Sequence, residues 1–142
     1  MKVYCILALS MCNKQIRIHG LWPDHKTPND VVSTCKASIK LKIDPRVTMR
    51  ISKVWPNCIN PEKYYTFWRH EFCKHGIDVF DSANEYFSLA LQAYDYICKE
   101  KLYTKCDNYS NGKEMYINMV YDTLTKKWGL EENKVCKVIF KL

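Results

Sequence analysis

The sequence predicts a single α+β domain spanning residues 1–142, on three observations. The chain has 142 residues, 47% of them hydrophobic, which is enough to fill one core. Short segments of period-two alternation occur alongside stretches of helical periodicity. No repeat, low-complexity run or Pro/Gly/Ser-rich linker divides the chain. Taken in order, the apolar run Val3–Leu9 is expected to be a buried strand or core segment. A very short signal peptide, with Lys2 ahead of it and Ala8-Leu9-Ser10 as a cleavage-like site, is the alternative reading. In Gln15–His19, Ile16 and Ile18 alternate with polar residues, the pattern of a half-buried strand leading into His19. Residues 24–36, with Pro28, Asn29 and Asp30, read as a loop. Pro45 and Pro56 punctuate the next stretch, which leaves room for a short helix between them. Pro61-Glu62 suits the first turn of a further helix and Gly76 suits its stop.

Ser82 and Glu85 form a capping-box pattern, and the helix that follows would bury Tyr86, Leu89, Ala90, Ala93, Tyr94 and Ile97. A second amphipathic helix is expected over Lys113–Trp128, showing Tyr116, Met119, Val120, Thr123 and Trp128, with Gly129 ending it. Cys136, Val138, Phe140 and Leu142 alternate, so the chain is expected to close on a strand. No run approaches the roughly 18 or more apolar residues of a membrane span, and no membrane association is expected.

Lys and Arg number 22 against 15 Asp and Glu, a formal net charge of +7, which favours a polyanionic partner and salt-dependent binding. Ten Tyr, five Phe and four Trp supply stacking surfaces as well as core. The eight cysteines, an even number with wide and irregular spacing, read as disulfides formed in an oxidising compartment or after secretion. Asn108-Tyr109-Ser110 is a glycosylation sequon that matters only in a secreted chain.

All four histidines lie in two short segments, Ile18-His19-Gly20-Leu21-Trp22-Pro23-Asp24-His25 and Phe67-Trp68-Arg69-His70-Glu71-Phe72-Cys73-Lys74-His75-Gly76. Imidazole both gives and takes a proton near neutrality. On a helix Phe67, His70, Glu71, Lys74 and His75 fall at i, i+3, i+4, i+7 and i+8, on one face. A stripe with two imidazoles, a carboxylate and an ammonium is not ordinary packing, because unpaired polar burial is costly. The plainer alternative is a solvated, salt-bridged face. His25 reads as a solvated loop histidine.

Together the two segments resemble the I-H-G-L-W-P and H-E-aromatic-x-K-H-G boxes of the ribonuclease T2 family. The direct match covers about 17 residues. The resemblance implies a T2-like antiparallel sheet with several helices. It also implies a metal-independent endoribonuclease that cleaves single-stranded RNA by transphosphorylation through a 2′,3′-cyclic phosphate, without a cofactor and as a monomer. By the same resemblance His19 and His75 form the acid–base pair, His19 protonating the departing 5′-oxygen and His75 taking the 2′-OH proton. Glu71 and Lys74 would stabilise the crowded phosphorane, and His70 would bind phosphate. Trp22 and Asp24 would hold one base and Phe67 the second.

The family pattern also has a strand upstream of the position matching Cys5. This chain begins too late to contain it, so the sheet is expected to lack the usual N-terminal strand and the polar residue it offers the second base. The resemblance implies a Cys5–Cys12 bridge and a partner for Cys136 beyond Leu142, and it gives Cys58 no partner. Cys35 would normally join a cysteine at the position of Asp78, and Cys73 is expected to replace it. On a helix Cys73 turns about 200° from Glu71, away from the substrate.

A metal site is the rival chemistry. His70-Glu71 followed by His75 approaches the zinc motif H-E-x-x-H, but the spacing is one residue too long. On an α-helix those imidazoles would point about 140° apart. No C-x-x-C pair exists to complete a site, so no metal is expected. The competing class of function is a catalytically weak RNA-binding or secreted interaction protein that kept the site.

Overall fold

The computed structural model describes residues 1–23, 39–106, 114–131 and Cys136. Strand β1, Lys2–Cys12, lies inside a four-stranded antiparallel sheet. It pairs on one side with β2, Gln15–Pro23, and on the other with β3, Met115–Asp122. Strand β4, Lys127–Leu130, completes the order β2-β1-β3-β4. The apolar run Val3–Leu9 is therefore strand, as its composition favours. Cys5, Leu7 and Leu9 alternate into the core as a pleated strand requires. The β1–β2 link is a two-residue turn in which Asn13 and Lys14 both take positive φ, 53° and 64°. Those angles match the twist of a tight hairpin.

The expected helix over Lys113–Trp128 is not formed: that stretch makes β3 and β4, joined by a turn at residues 123–126. The apolar positions of Met115-Tyr-Ile-Asn-Met-Val-Tyr fit both periods, and β-branched and aromatic side chains between two strands decide for the sheet. Asp122 Oδ1 accepts from the backbone N–H of Leu124 and Thr125, at 2.9 and 3.3 Å, and fixes the turn. These bonds to the charged form hold the Asp122 carboxyl below its usual range. Asp24, His25, Cys35, the sequon and the closing strand lie outside the described residues, apart from Cys136 itself.

Among the described residues, three α-helices accompany the sheet in this α+β fold. Helix α1, Pro45–Val54, starts where Asp44 accepts from Arg46 N–H and Pro45 presets the first turn. Helix α2, Tyr64–Glu71, is preceded by a 3₁₀ turn, Pro61–Lys63, and followed by a π-helical turn, Phe72–Gly76. Helix α3, Ala83–Lys99, is capped by Ser82, whose Oγ accepts from Glu85 N–H at 3.1 Å. Glu85 reaches back to Asp81 N–H rather than Ser82 N–H, a shifted version of the expected box. Arg50 of α1 grips Asp95 of α3 through two hydrogen bonds of 2.7 and 2.8 Å.

Trp55, Trp68, Tyr86 and Phe87 meet edge-on or tilted in the core, with centroids 5.0–6.4 Å apart. Trp55 is wholly buried, and truncating such a ring typically costs about 3–5 kcal/mol. Each buried indole finds an acceptor: Trp68 Nε1 donates to Trp55 O at 2.7 Å, and Trp55 Nε1 to His19 O at 2.8 Å.

The disulfides differ from the family expectation. Cys12 bonds Cys58, not Cys5, and ties the hairpin tip to the segment between α1 and α2. Cys5 is buried in the core with Leu7 and Leu9. Cys136 bonds Cys106, so its partner is within the chain. Cys73 is buried and disulfide-bonded, while the Cys35 end of the expected pairing lies outside the described residues. Cys98 is a free thiol, and burial pushes its pKa up.

Candidate active site

The sheet and the α2 helix bring the two histidine segments together. His19 sits where the β1–β2 register steps from Ala8↔Gly20 to Leu9↔Ile18, so it faces no residue of β1. Such a bulge re-aims a side chain. Here it also lets Ile18 and Leu21, three residues apart, both reach the core. Across the sheet Gly20, Ala8 and Tyr116 stand in one row, and directly opposed residues share a face. Two of the three carry little or no side chain, which leaves a shallow floor. Glu71 and Trp22 fill it: a Cβ at Gly20 would collide with Glu71 Oε1 and Trp22 Nε1. Gly20 is thus required by close approach.

On the other wall, α2 passes into the π turn at Glu71–Phe72, with Ile77 N–H donating to Phe72 O at 2.9 Å. In a π turn residues five apart come nearly into register. The expectation that His70 and His75 point about 140° apart, which assumed a continuous α-helix, is corrected: both border the same cleft. Gly76 closes the turn against Tyr86, whose ring leaves no room for a Cβ.

That cleft, of about 300 Å³, is lined by His19, Trp22, His70, Glu71, Lys74 and His75. Trp22 is its hinge. Its ring stacks on His75 at 5.2 Å and 26°, meets His19 edge-on at 5.4 Å, and leans on Tyr116 at 5.7 Å. Its Nε1–H donates to Glu71 Oε1 at 3.0 Å. Glu71 is 3% exposed. Burial raises its pKa above the usual carboxylate range, against the opposing pull of the Trp22 hydrogen bond, His19 and Lys74. His70, at the exposed rim, has its pKa lowered by partial desolvation and then by the neighbouring Lys74 and His19. Phe67 stands apart from this group. With its ring 5.7 Å from His19, it borders an adjoining cleft of about 440 Å³ with Pro56, Cys58, Ile59 and Glu114. His19 borders both clefts.

One residue absent from the sequence-based set stands at this junction. Glu114 Oε1 pairs with His19 Nδ1, and Glu114 Oε2 accepts from the Tyr116 hydroxyl. No motif marks Glu114; the β1–β3 pairing brings it there. Among the described residues no cluster of three or more His, Cys, Asp or Glu is arranged to hold a metal ion.

An α+β fold with a cleft built from two histidine boxes defines the class, and a model of the ribonuclease T2 family matches residues 2–139: the chain belongs to that family. Among its relatives, Ribonuclease S-7 of Nicotiana alata is 36% identical over 84 residues, covering 55% of this chain and 38% of that protein. Ribonuclease T2 protein rnst-2 of Caenorhabditis elegans is 25% identical over 146 aligned positions, 86% of this chain and 52% of that protein. The chain thus spans about half or less of the length of these curated relatives. The crystal structure of Japanese pear S3-RNase shares the fold, with a TM-score of 0.58 at 19% identity, over 89% of this chain and 88% of that one.

Proposed function

We propose that this chain is a single-domain, metal-independent endoribonuclease that cleaves single-stranded RNA by transphosphorylation. The observation that carries the reading is the convergence of six residues from the two boxes on one cleft of about 300 Å³. The attacking 2′-OH already neighbours the phosphorus, so the reaction needs an acid, a base and a positive charge rather than a bound nucleophile. In the proposed step His75 takes the 2′-OH proton as the 2′-O–P bond forms. The P–O5′ bond breaks, and His19 gives its proton to O5′. Lys74 and His70 hold the non-bridging oxygens, where negative charge grows. Glu71, held by Trp22, faces the same phosphate. The product is a 2′,3′-cyclic phosphate. Trp22, Asp24 and Phe67 are assigned to the bases, Phe67 to the one beyond the scissile bond. The net charge of +7 draws RNA in.

The test is incubation of the oxidised protein with single-stranded RNA in EDTA, followed by analysis of the ends. Cyclic phosphates are the expected product. RNA binding without cleavage would replace this reading with that of a nuclease-derived binding protein, and cleavage abolished by EDTA would replace it with metal chemistry. The disulfides suit an oxidising compartment, and we place the protein outside the cell as a monomer.

A further inference from the structure

We propose that Glu114 is the positioning residue of His19, orienting its ring so that Nε2 faces the leaving group and keeping the proton of the neutral ring on Nδ1. The inference rests on the reading of His19 as the proton donor. Glu114 Oε1 engages Nδ1, and no hydrogen bond among the described residues claims Nε2. With Nδ1–H given to a carboxylate, the nitrogen that gives and takes protons at the substrate is Nε2. The other end of Glu114 is held as well. Tyr116, two residues on along β3 and 5% exposed, donates its hydroxyl to Oε2. Burial and the neighbouring carboxylate keep that phenol protonated, so the donor persists over the working pH range. The His19 carbonyl is fixed separately, by Trp55 Nε1–H at 2.8 Å. Backbone and ring are therefore each held by a separate partner.

The chemistry shows why this matters. When the P–O5′ bond breaks, the His19 imidazolium gives its Nε2 proton to O5′ and is left neutral with the proton on Nδ1. Its bare Nε2 is then placed to take a proton from the water that opens the cyclic ester, while His75 returns its proton to the 2′-oxygen. Without Glu114 the neutral ring also populates the Nε2–H tautomer, which cannot accept that proton. A carboxylate oriented this way through a histidine matches the third member of a nucleophile–base–carboxylate set in role, though not in fold.

The experiment compares wild type, Glu114→Gln, Glu114→Ala and His19→Ala on two esters of one nucleoside 3′-phosphate. One has a 5′-nucleoside leaving group and the other 4-nitrophenolate, which departs without a proton. Glu114→Ala is expected to lower kcat on the first ester about 10- to 100-fold, part of the roughly 10²–10⁴-fold that a general acid supplies. KM should stay near wild type, and the nitrophenyl ester should be cleaved at near wild-type rate. Glu114→Gln, which keeps an acceptor for Nδ1–H, should recover part of the loss.

Equal losses on both esters would mean a structural role, and no loss on either would mean none; both overturn the proposal. If His19→Ala itself shows no dependence on the leaving group, the reading of His19 falls, and the inference with it. Imidazole ¹⁵N shifts provide a readout that needs no activity. Neutral His19 should be the Nδ1–H tautomer in wild type and a mixture in Glu114→Ala; an unchanged tautomer in the variant would overturn the assignment.

Discussion

Glu71 shows how a residue that serves a site taxes the fold. It is buried, accepts one hydrogen bond from Trp22, and has a raised pKa because burial outweighs its favourable neighbours. A folded-state pKa above the unfolded one contributes stability that is complete below the ordinary carboxylate range and is lost as pH rises through the raised value. Glu71→Gln keeps an acceptor for Trp22 and removes the charge. It is expected to melt above wild type at pH 8 and equal to it near pH 4, by circular dichroism, while RNA cleavage falls by roughly 10²-fold or more. A variant less stable than wild type at pH 8 would contradict the desolvation account. His19, His70, Glu71, Lys74 and His75 stood out as one group in the two boxes, and the structure brings them to one cleft. Glu114 did not stand out, since its link to His19 depends on a strand pairing far along the chain. Gly20 was legible as a letter, but its reason emerges only when Glu71 is seen lying over it.

Among the elements, the floor under the cleft depends on what is missing from it. Ala8, wholly buried between Gly20 and Tyr116, has no room to grow. Ala8→Leu should cost about 1–3 kcal/mol by overpacking, read from urea unfolding, and should displace Trp22 enough to lower kcat. Unchanged activity would mean that the row is not the floor of the site. Tyr86 on α3 braces the first box from beneath, its hydroxyl donating to Leu21 O at 2.9 Å while Leu21 N–H points back at 3.4 Å. Tyr86→Phe should cost about 1–3 kcal/mol by leaving buried backbone groups unpaired. The helix cap at Ser82 and the alternation in Gln15–His19 were readable because local chemistry dictates them. The β3–β4 hairpin was misread because Tyr116, Met119, Val120 and Thr123 also satisfy a helical period. The π turn had no sequence signature, and it changes which side chains share a face.

At the scale of the whole molecule, covalent ties link parts that are distant in sequence. The Cys12–Cys58 bridge closes a loop with a sequence separation of 46 and Cys106–Cys136 one of 30. Each is expected to contribute about 2–4 kcal/mol. Cys12→Ala/Cys58→Ala should lower the urea midpoint accordingly and, because Cys58 lines the cleft beside Phe67, raise KM for RNA more than for a mononucleotide ester. A double variant with unchanged midpoint and KM would show that the bridge only decorates the surface. The cysteine count pointed to disulfides, but partner choice depends on three-dimensional proximity, and two pairings drawn from the resemblance were wrong for that reason.

The place of β1 in the sheet has a consequence for timing during synthesis. β1 is made before helices α1, α2 and α3, yet its second neighbour, β3, follows all of them. Both histidine boxes leave the ribosome before β3 exists to close the open side of β1. Such non-local pairing is slow to form and leaves a strand edge exposed meanwhile. A nascent chain carrying both boxes therefore lacks Glu114 and the closing strand together. The cleft with Glu114 beside His19 would thus be complete only once β3 has paired with β1.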